Sequence, residues 1–231
     1  AALPGATAIS LTWRLFGNAG AVEYIDAPVT ESFIRAAPHV LYWPWRAHLF
    51  KTLVRNDGSY GKLGVHRPRA PVADRAASQR WFDGAGRELP RAFHRGRIFS
   101  DLGRDNHALV QLNHYPLGAM ESFLVKRDRG RAVHADGSLD AGYWVERNCD
   151  AEEDRTIQQL DSRALRTGLH EDPVLGSLHR AAVAWRHTRF RELMQQDDWR
   201  SLYGQLLMAG PTRVLGREEA ETIWKPRGKR L

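Results

Sequence analysis

Apolar and polar positions alternate weakly over residues 8–16 (AISLTWRLF), a stretch rich in Ile, Leu, Thr, Trp and Phe that stops at Gly17-Asn18. That pattern predicts a β-strand closed by a turn. Residues 28–37 (PVTESFIRAA) follow with a helical look, Thr30 serving as a cap and Pro38 as the stop. Two short strands are predicted next, 50–54 before the turn 56–59 and 63–66 before Pro68. From 68 to 106 the chain is rich in Gly, Pro, Arg and Asp with little periodicity, which predicts a long irregular excursion. Regular patterning returns at 108–114 (ALVQLNH), a buried strand. A helix over 118–126 follows, with Met120, Phe123 and Leu124 on one face. Residues 140–148 (DAGYWVERN) are aromatic and carry no clear period.

The last third predicts helices. One spans 154–165 with an Asp cap. The next is capped by Asp172, has Pro173 at its first position, and repeats apolar residues at Leu175, Leu178, Ala182 and Trp185. Trp199, Leu202 and Leu206 mark a final helix that ends at Gly210-Pro211, before a loose basic tail (KPRGKRL). Strands with intervening helices, followed by a helical run, define an α/β domain with a helical C-terminal extension.

Composition narrows the class. With 42% hydrophobic and 26% charged residues over 231 positions, the chain has ordinary globular usage, which excludes wholesale disorder. No run approaches the roughly 18 apolar residues of a membrane helix, and the first residues lack the basic region of a signal peptide. A single cysteine, Cys149, excludes an intramolecular disulfide and fits a reducing compartment. A soluble cytoplasmic protein is expected, with peripheral membrane contact left open. The net charge of +7 calls for an anionic partner, whether nucleic acid, a phosphorylated metabolite or an acidic membrane surface. The arginines are spread along the chain, densest in RPRAPVADR and KRDRGR, which suits a phosphate-bearing small ligand better than a nucleic-acid stripe.

The densest chemistry is Asn113-His114-Tyr115 at the end of a predicted buried strand, followed by a helix carrying Lys126, then Arg127, Arg129 and Arg131. Ligands of open α/β sheets sit beyond the C-terminal ends of strands. A histidine there can bind a divalent metal through a ring nitrogen, and lysine and arginine can neutralise a diphosphate. By spacing alone, the same residues read better as a structural histidine beside a charged helix end.

The run QLNHYPLGAMESFLVKRDRGR, followed by LDAGYWVERN, resembles the C-terminal signature of bacterial glycosyltransferase family 2-like proteins. It is also similar to the His-Tyr, Phe and Lys pattern of family 92 glycosyltransferases. AISLTWRLFGN, PVTESFIRAAP, FKTLVR and GVHRPR agree in the same order, so the resemblance covers residues 6–148 and, more loosely, the helices to about 210. It implies a GT-A fold, a Rossmann-like α/β sheet that transfers a sugar from a nucleotide-sugar donor to a saccharide or other hydroxyl acceptor, in cell-surface polysaccharide synthesis. Residues 1–150 would be the acceptor-side part of that domain, 151–210 a helical extension and 211–231 a basic tail. A divalent metal, Mn or Mg, is implied, with His114 as its ligand and Lys126 and Arg129 at the donor diphosphate. An inverting transfer also needs a general base. Glu31 is the candidate, though as a first-turn glutamate it also suits the helix dipole. His66, Trp43 and Trp45 are candidates for the acceptor cleft, since tryptophan faces stack on sugars and equally fill cores.

No Asp-x-Asp stands ahead of the TWRLFG block, where the family holds its metal, and the sequence opens on a strand without an initial Met. The resemblance therefore implies that the nucleotide-binding half is missing from this sequence. Two alternatives stay open: a catalytically incompetent binding or scaffold module, and a basic nucleic-acid-binding protein. Cys149 has no catalytic histidine partner in the sequence, and a thiol nucleophile is not expected.

Overall fold

A computed structural model describes residues 2–130 and 139–224. Arg131 and the KPRGKRL tail lie outside the described residues. The chain is mixed α/β. Its first part holds β1 (Ala8–Leu15), α1 (Val29–Ser32), β2 (Arg35–Ala36), β3 (Phe50–Val54), β4 (Tyr60–Lys62), β5 (Arg69–Pro71), α2 (Ala73–Ala76), β6 (Trp81–Asp83), α3 (Ala92–Arg95) and β7 (Leu112–His114). Then come α4 (Met120–Arg129), α5 (Ala141–Val145), β8 (Glu152–Glu153), α6 (Arg163–Glu171), α7 (Leu175–Leu193), α8 (Asp197–Met208) and α9 (Arg217–Trp224). Two compact units divide these elements, and neither is continuous in sequence. The first takes Ala1–Leu15, Ala37–His114 and Val214–Leu231; the second takes Phe16–Ala36 and Tyr115–Arg213.

The first unit is built on β1, which pairs antiparallel with β3 (Ala8↔Val54, Thr12↔Phe50) on one side. On the other side it pairs in parallel with β6 and, further along, with β7 (Ala8↔Trp81, Leu15↔His114). The sheet is therefore mixed. Along β1 the buried positions are Ala8, Ser10, Thr12, Arg14 and Leu15, while the large Ile9, Leu11 and Trp13 are only half-buried. Thr12 and Arg14 can be buried because they are bonded, whereas the buried Ser10 hydroxyl has no partner among the described residues. Thr12 shares a 2.6 Å hydrogen bond with Ser100, and Arg14 donates to the Ala37 carbonyl and to Gln111. Beside it, Ala8, Phe50, Trp81 and Phe93 form the apolar core.

Within the second unit, α4, α5, α8 and the C-terminal end of α7 enclose a core of Phe123, Leu124, Trp144, Leu193, Leu202 and Leu206. Phe123 meets Trp144 edge-on at 5.1 Å. Asp140 caps α5 by accepting from the Tyr143 amide, and Gly130, at a left-handed φ of 77°, closes α4. Gly17 is required by a close approach: a Cβ there would stand 2.4 Å from the Cys149 carbonyl oxygen. Next to it, the Asn18 amide donates to the Asn148 side chain at 2.9 Å.

Several predicted elements are corrected. The helix over 28–37 is one turn, α1, after which the chain extends into β2 to pair with β8 (Arg35↔Glu153). Thr30 does not cap it; the cap position is Pro28. Residues 63–66 are not a strand but the connection between the paired β4 and β5, with Leu63 81% exposed because no core lies beneath it. Inside the supposed excursion 68–106, β6 is a fully buried sheet strand. The helix expected over 154–165 is instead a short 3-10 turn, Thr156–Gln159, opened by Asp154 accepting from Thr156, and α6 begins only at Arg163. The helix carrying Leu202 and Leu206 is not the last, since α9 follows.

Candidate functional site

The most site-like feature is a cavity of about 630 Å³ in the second unit. Its floor comes from α4, preceded by Gly118 at φ 73°, where the left-handed backbone suits glycine. One wall is the segment 21–33, tied to the start of α4 by hydrogen bonds from the Met120 amide to the Ala21 carbonyl and from the Tyr24 amide to Glu121. The opposite wall is α7, through Ala182, Trp185 and Arg186. An ion pair between Arg189 and Asp128, at 2.7 and 2.8 Å, fastens α7 to α4.

Lys126 and Arg129 both line this cavity, one helical turn apart on α4. Lys126 donates to the Pro116 carbonyl and lies 5.4 Å from the Tyr143 ring centre. Arg186 supplies a third cation and covers the Tyr24 ring at 4.3 Å. Aromatic faces come from Tyr24, Phe33, Tyr115 and Trp185, and among the described residues Glu23 is the one carboxylate lining the cavity. Burial raises the Tyr24 hydroxyl above its usual pKa; Asp26 adds to that, and Arg186 opposes it. Asp26 in turn holds His179 at 3.0 Å, and the His179 ring meets His170 edge-on at 4.7 Å. Three cations against one carboxylate, set among apolar and aromatic walls, favour an anionic ligand with a planar or sugar-like body.

Glu31 is in the single turn α1 and pairs with Arg166 at 3.0 Å. Its neighbours Val29 and Ser32 line the cavity, whereas Glu31 does not.

His114, His66, Trp43 and Trp45 belong to the first unit. His114, on β7, stacks on Trp13 with ring centres 4.1 Å apart. His66 approaches the same indole at 5.9 Å and bonds the Phe50 carbonyl through Nδ1, so Trp13 gathers two of the sequence's candidate histidines. Lys51 Nζ stands 5.9 Å from that ring. Trp45 is exposed, packing edge-on against Phe99 at 5.0 Å beneath Arg46, and Trp43 is half-buried.

Among the described residues, no three His, Cys, Asp or Glu side chains gather to hold a metal ion. A lone imidazole is a poor donor set for a hard divalent cation, which prefers several oxygens, so the described residues do not by themselves fit the expected metal. Cys149 is buried, which pushes its thiol up to about 12; it stays protonated and is no nucleophile.

Arg186, Tyr24 and Trp185 were not legible as site residues. They lie on other elements, far from α4 in sequence, and carry no motif; only packing brings them to the cavity that Lys126 lines. No protein-family model matches the chain, and neither does any curated protein or solved structure.

Proposed function

We propose that this chain is a glycosyltransferase module of the GT-A type, moving a sugar from a nucleotide-sugar donor to a hydroxyl acceptor. The observation that carries the reading is the shared cavity of Lys126, Arg129 and Arg186. A departing nucleoside diphosphate is a concentrated negative charge, and cations in a largely apolar enclosure stabilise it more strongly than they would in water. The resemblance of the QLNHYPLGAMESFLVKRDRGR and LDAGYWVERN runs to family 2-like glycosyltransferases adds support. In this reading Lys126 and Arg129 hold the diphosphate by charge-assisted hydrogen bonds. Tyr24, Tyr115 and Trp185 offer faces against which a sugar's C–H groups pack.

Calorimetric titration of the chain with uridine diphosphate, with and without manganese, tests it. Each charge-assisted hydrogen bond is worth roughly 1.5–3 kcal/mol, so Lys126→Ala with Arg129→Ala should weaken binding by about a hundredfold or more. Affinity unchanged in that double variant would sink the diphosphate assignment. Absence of nucleotide binding by the unaltered chain would sink the broader reading.

A further inference from the structure

The hairpin of α6 and α7 carries an apolar surface that its own unit leaves open. Leu165 and Leu169, one turn apart on α6, are 69% and 48% exposed. Leu175, Leu178 and Trp185 follow one line along α7 and are 49%, 62% and 56% exposed. Large apolar residues on a free surface are ordinarily scattered singly; a run of them along one hairpin marks a docking surface.

The charge of the same segment says what docks there. Residues 160–191 hold six arginines and three carboxylates; Arg163, Arg166 and Arg189 are paired with Asp161, Glu31 and Asp128, which leaves Arg180, Arg186 and Arg191 outside those ion pairs. Arg180 stands exposed on α7, and Arg186 lies over the Tyr24 ring rather than against an acid. A second copy of this hairpin would set the excess positive charge against itself, and like charges facing across an interface are costly. An anionic bilayer surface meets both features: the headgroup–acyl boundary takes leucine and tryptophan, and headgroup phosphates take arginine. We propose that the α6–α7 hairpin seats the protein on an anionic phospholipid surface. The contact lies in the plane of the bilayer, since no described helix is long and apolar enough to cross one.

Co-sedimentation of the full chain with vesicles tests this, comparing phosphatidylcholine alone with mixtures containing phosphatidylglycerol. Binding is expected only to the anionic vesicles and should weaken as salt is raised. Leu175→Ser combined with Leu178→Ser leaves the formal charge unchanged and alters only exposed positions, so folding should persist, as far-ultraviolet circular dichroism would verify. It should reduce partitioning by about tenfold or more. Leu207→Ser with Met208→Ser, exposed on α8 at 50% and 81%, should bind as the unaltered chain does. Equal loss in both variants, or no loss in the hairpin variant, overturns the assignment. So does a stable dimer in sedimentation velocity that the hairpin variant abolishes, because the occupant would then be a second copy. The Lys126→Ala, Arg129→Ala variant should still sediment with vesicles, which separates this proposal from the nucleotide reading.

Discussion

The helices α7 and α8 carry similar apolar spacing and meet opposite fates. Leu202 and Leu206 of α8 are 5% and 0% exposed, locked against Phe123 and Trp144, whereas Leu175 and Leu178 of α7 stand about half exposed or more. Even within α7 the contrast holds, since Leu193 at its other end is fully buried. Periodicity makes a helix amphipathic, but a partner surface decides whether the apolar face becomes core. For α7 the apolar core lies at its C-terminal end, where Arg189 grips Asp128 and Phe190 packs edge-on against Tyr203 at 5.5 Å.

The contrast can be broken by truncation. Leu206→Ala and Leu193→Ala should each destabilise the protein by about 2–5 kcal/mol, since each leaves a cavity in the second unit's core. Urea unfolding would measure both. A cost under about 1 kcal/mol for Leu193→Ala would mean that the C-terminal end of α7 is not anchored as described.

The same rule applied to polar side chains gives a pH effect. His48 is buried, which lowers its pKa to about 4 from 6.5, whereas His179 sits near the surface beside Asp26. Above pH 6.5, His48 is neutral folded and unfolded and adds no pH dependence. As pH falls from 6.5 towards 4, the unfolded chain takes up a proton that the folded chain resists. Stability should therefore drop by on the order of 3 kcal/mol over that window from this group. Replacing the side chain as His48→Leu should flatten the profile by a similar amount, and an unchanged slope would refute the account.

The smallest effect is expected where α7 is uncovered. Leu178→Ser should change stability by no more than about 0.5 kcal/mol, because the side chain is already largely in water. A cost of 2 kcal/mol or more would mean that Leu178 is covered in the isolated protein, and the contrast with Leu206 would collapse.

Much of the local structure was legible. The strand at β1, the helix α4 and the helix α8 follow from periodicity and their stop signals, and Asp172 does cap the approach to α7 by accepting from the Val174 and Leu175 amides. Some short elements were not legible. β2 and β6 are two or three residues long, and their strand character comes from the neighbour they bond rather than from their own sequence; the strand expected over 108–114 is present only at its end, as β7. Of the site, Lys126 and Arg129 could be singled out as cations on one helix. Their company of Arg186, Tyr24 and Trp185 could not, because those residues lie on other elements. Two stretches far apart in sequence meet through Gly17 and Asn18 against Asn148 and Cys149. Their residue types therefore have a packing reason that inspection of either stretch alone does not supply.

By itself, the sequence determined where the long helices lie, how charged they are and which of their residues are apolar, because propensity, capping and period are local properties. The tertiary structure alone decided which apolar faces are core and which remain open. It also decided that β1 buries its polar edge, and that cations from α4 and α7 share one cavity. Those outcomes depend on what packs opposite each face, and that information is distributed over residues far apart in the sequence, as with Thr12 and Ser100 or Lys126 and Arg186.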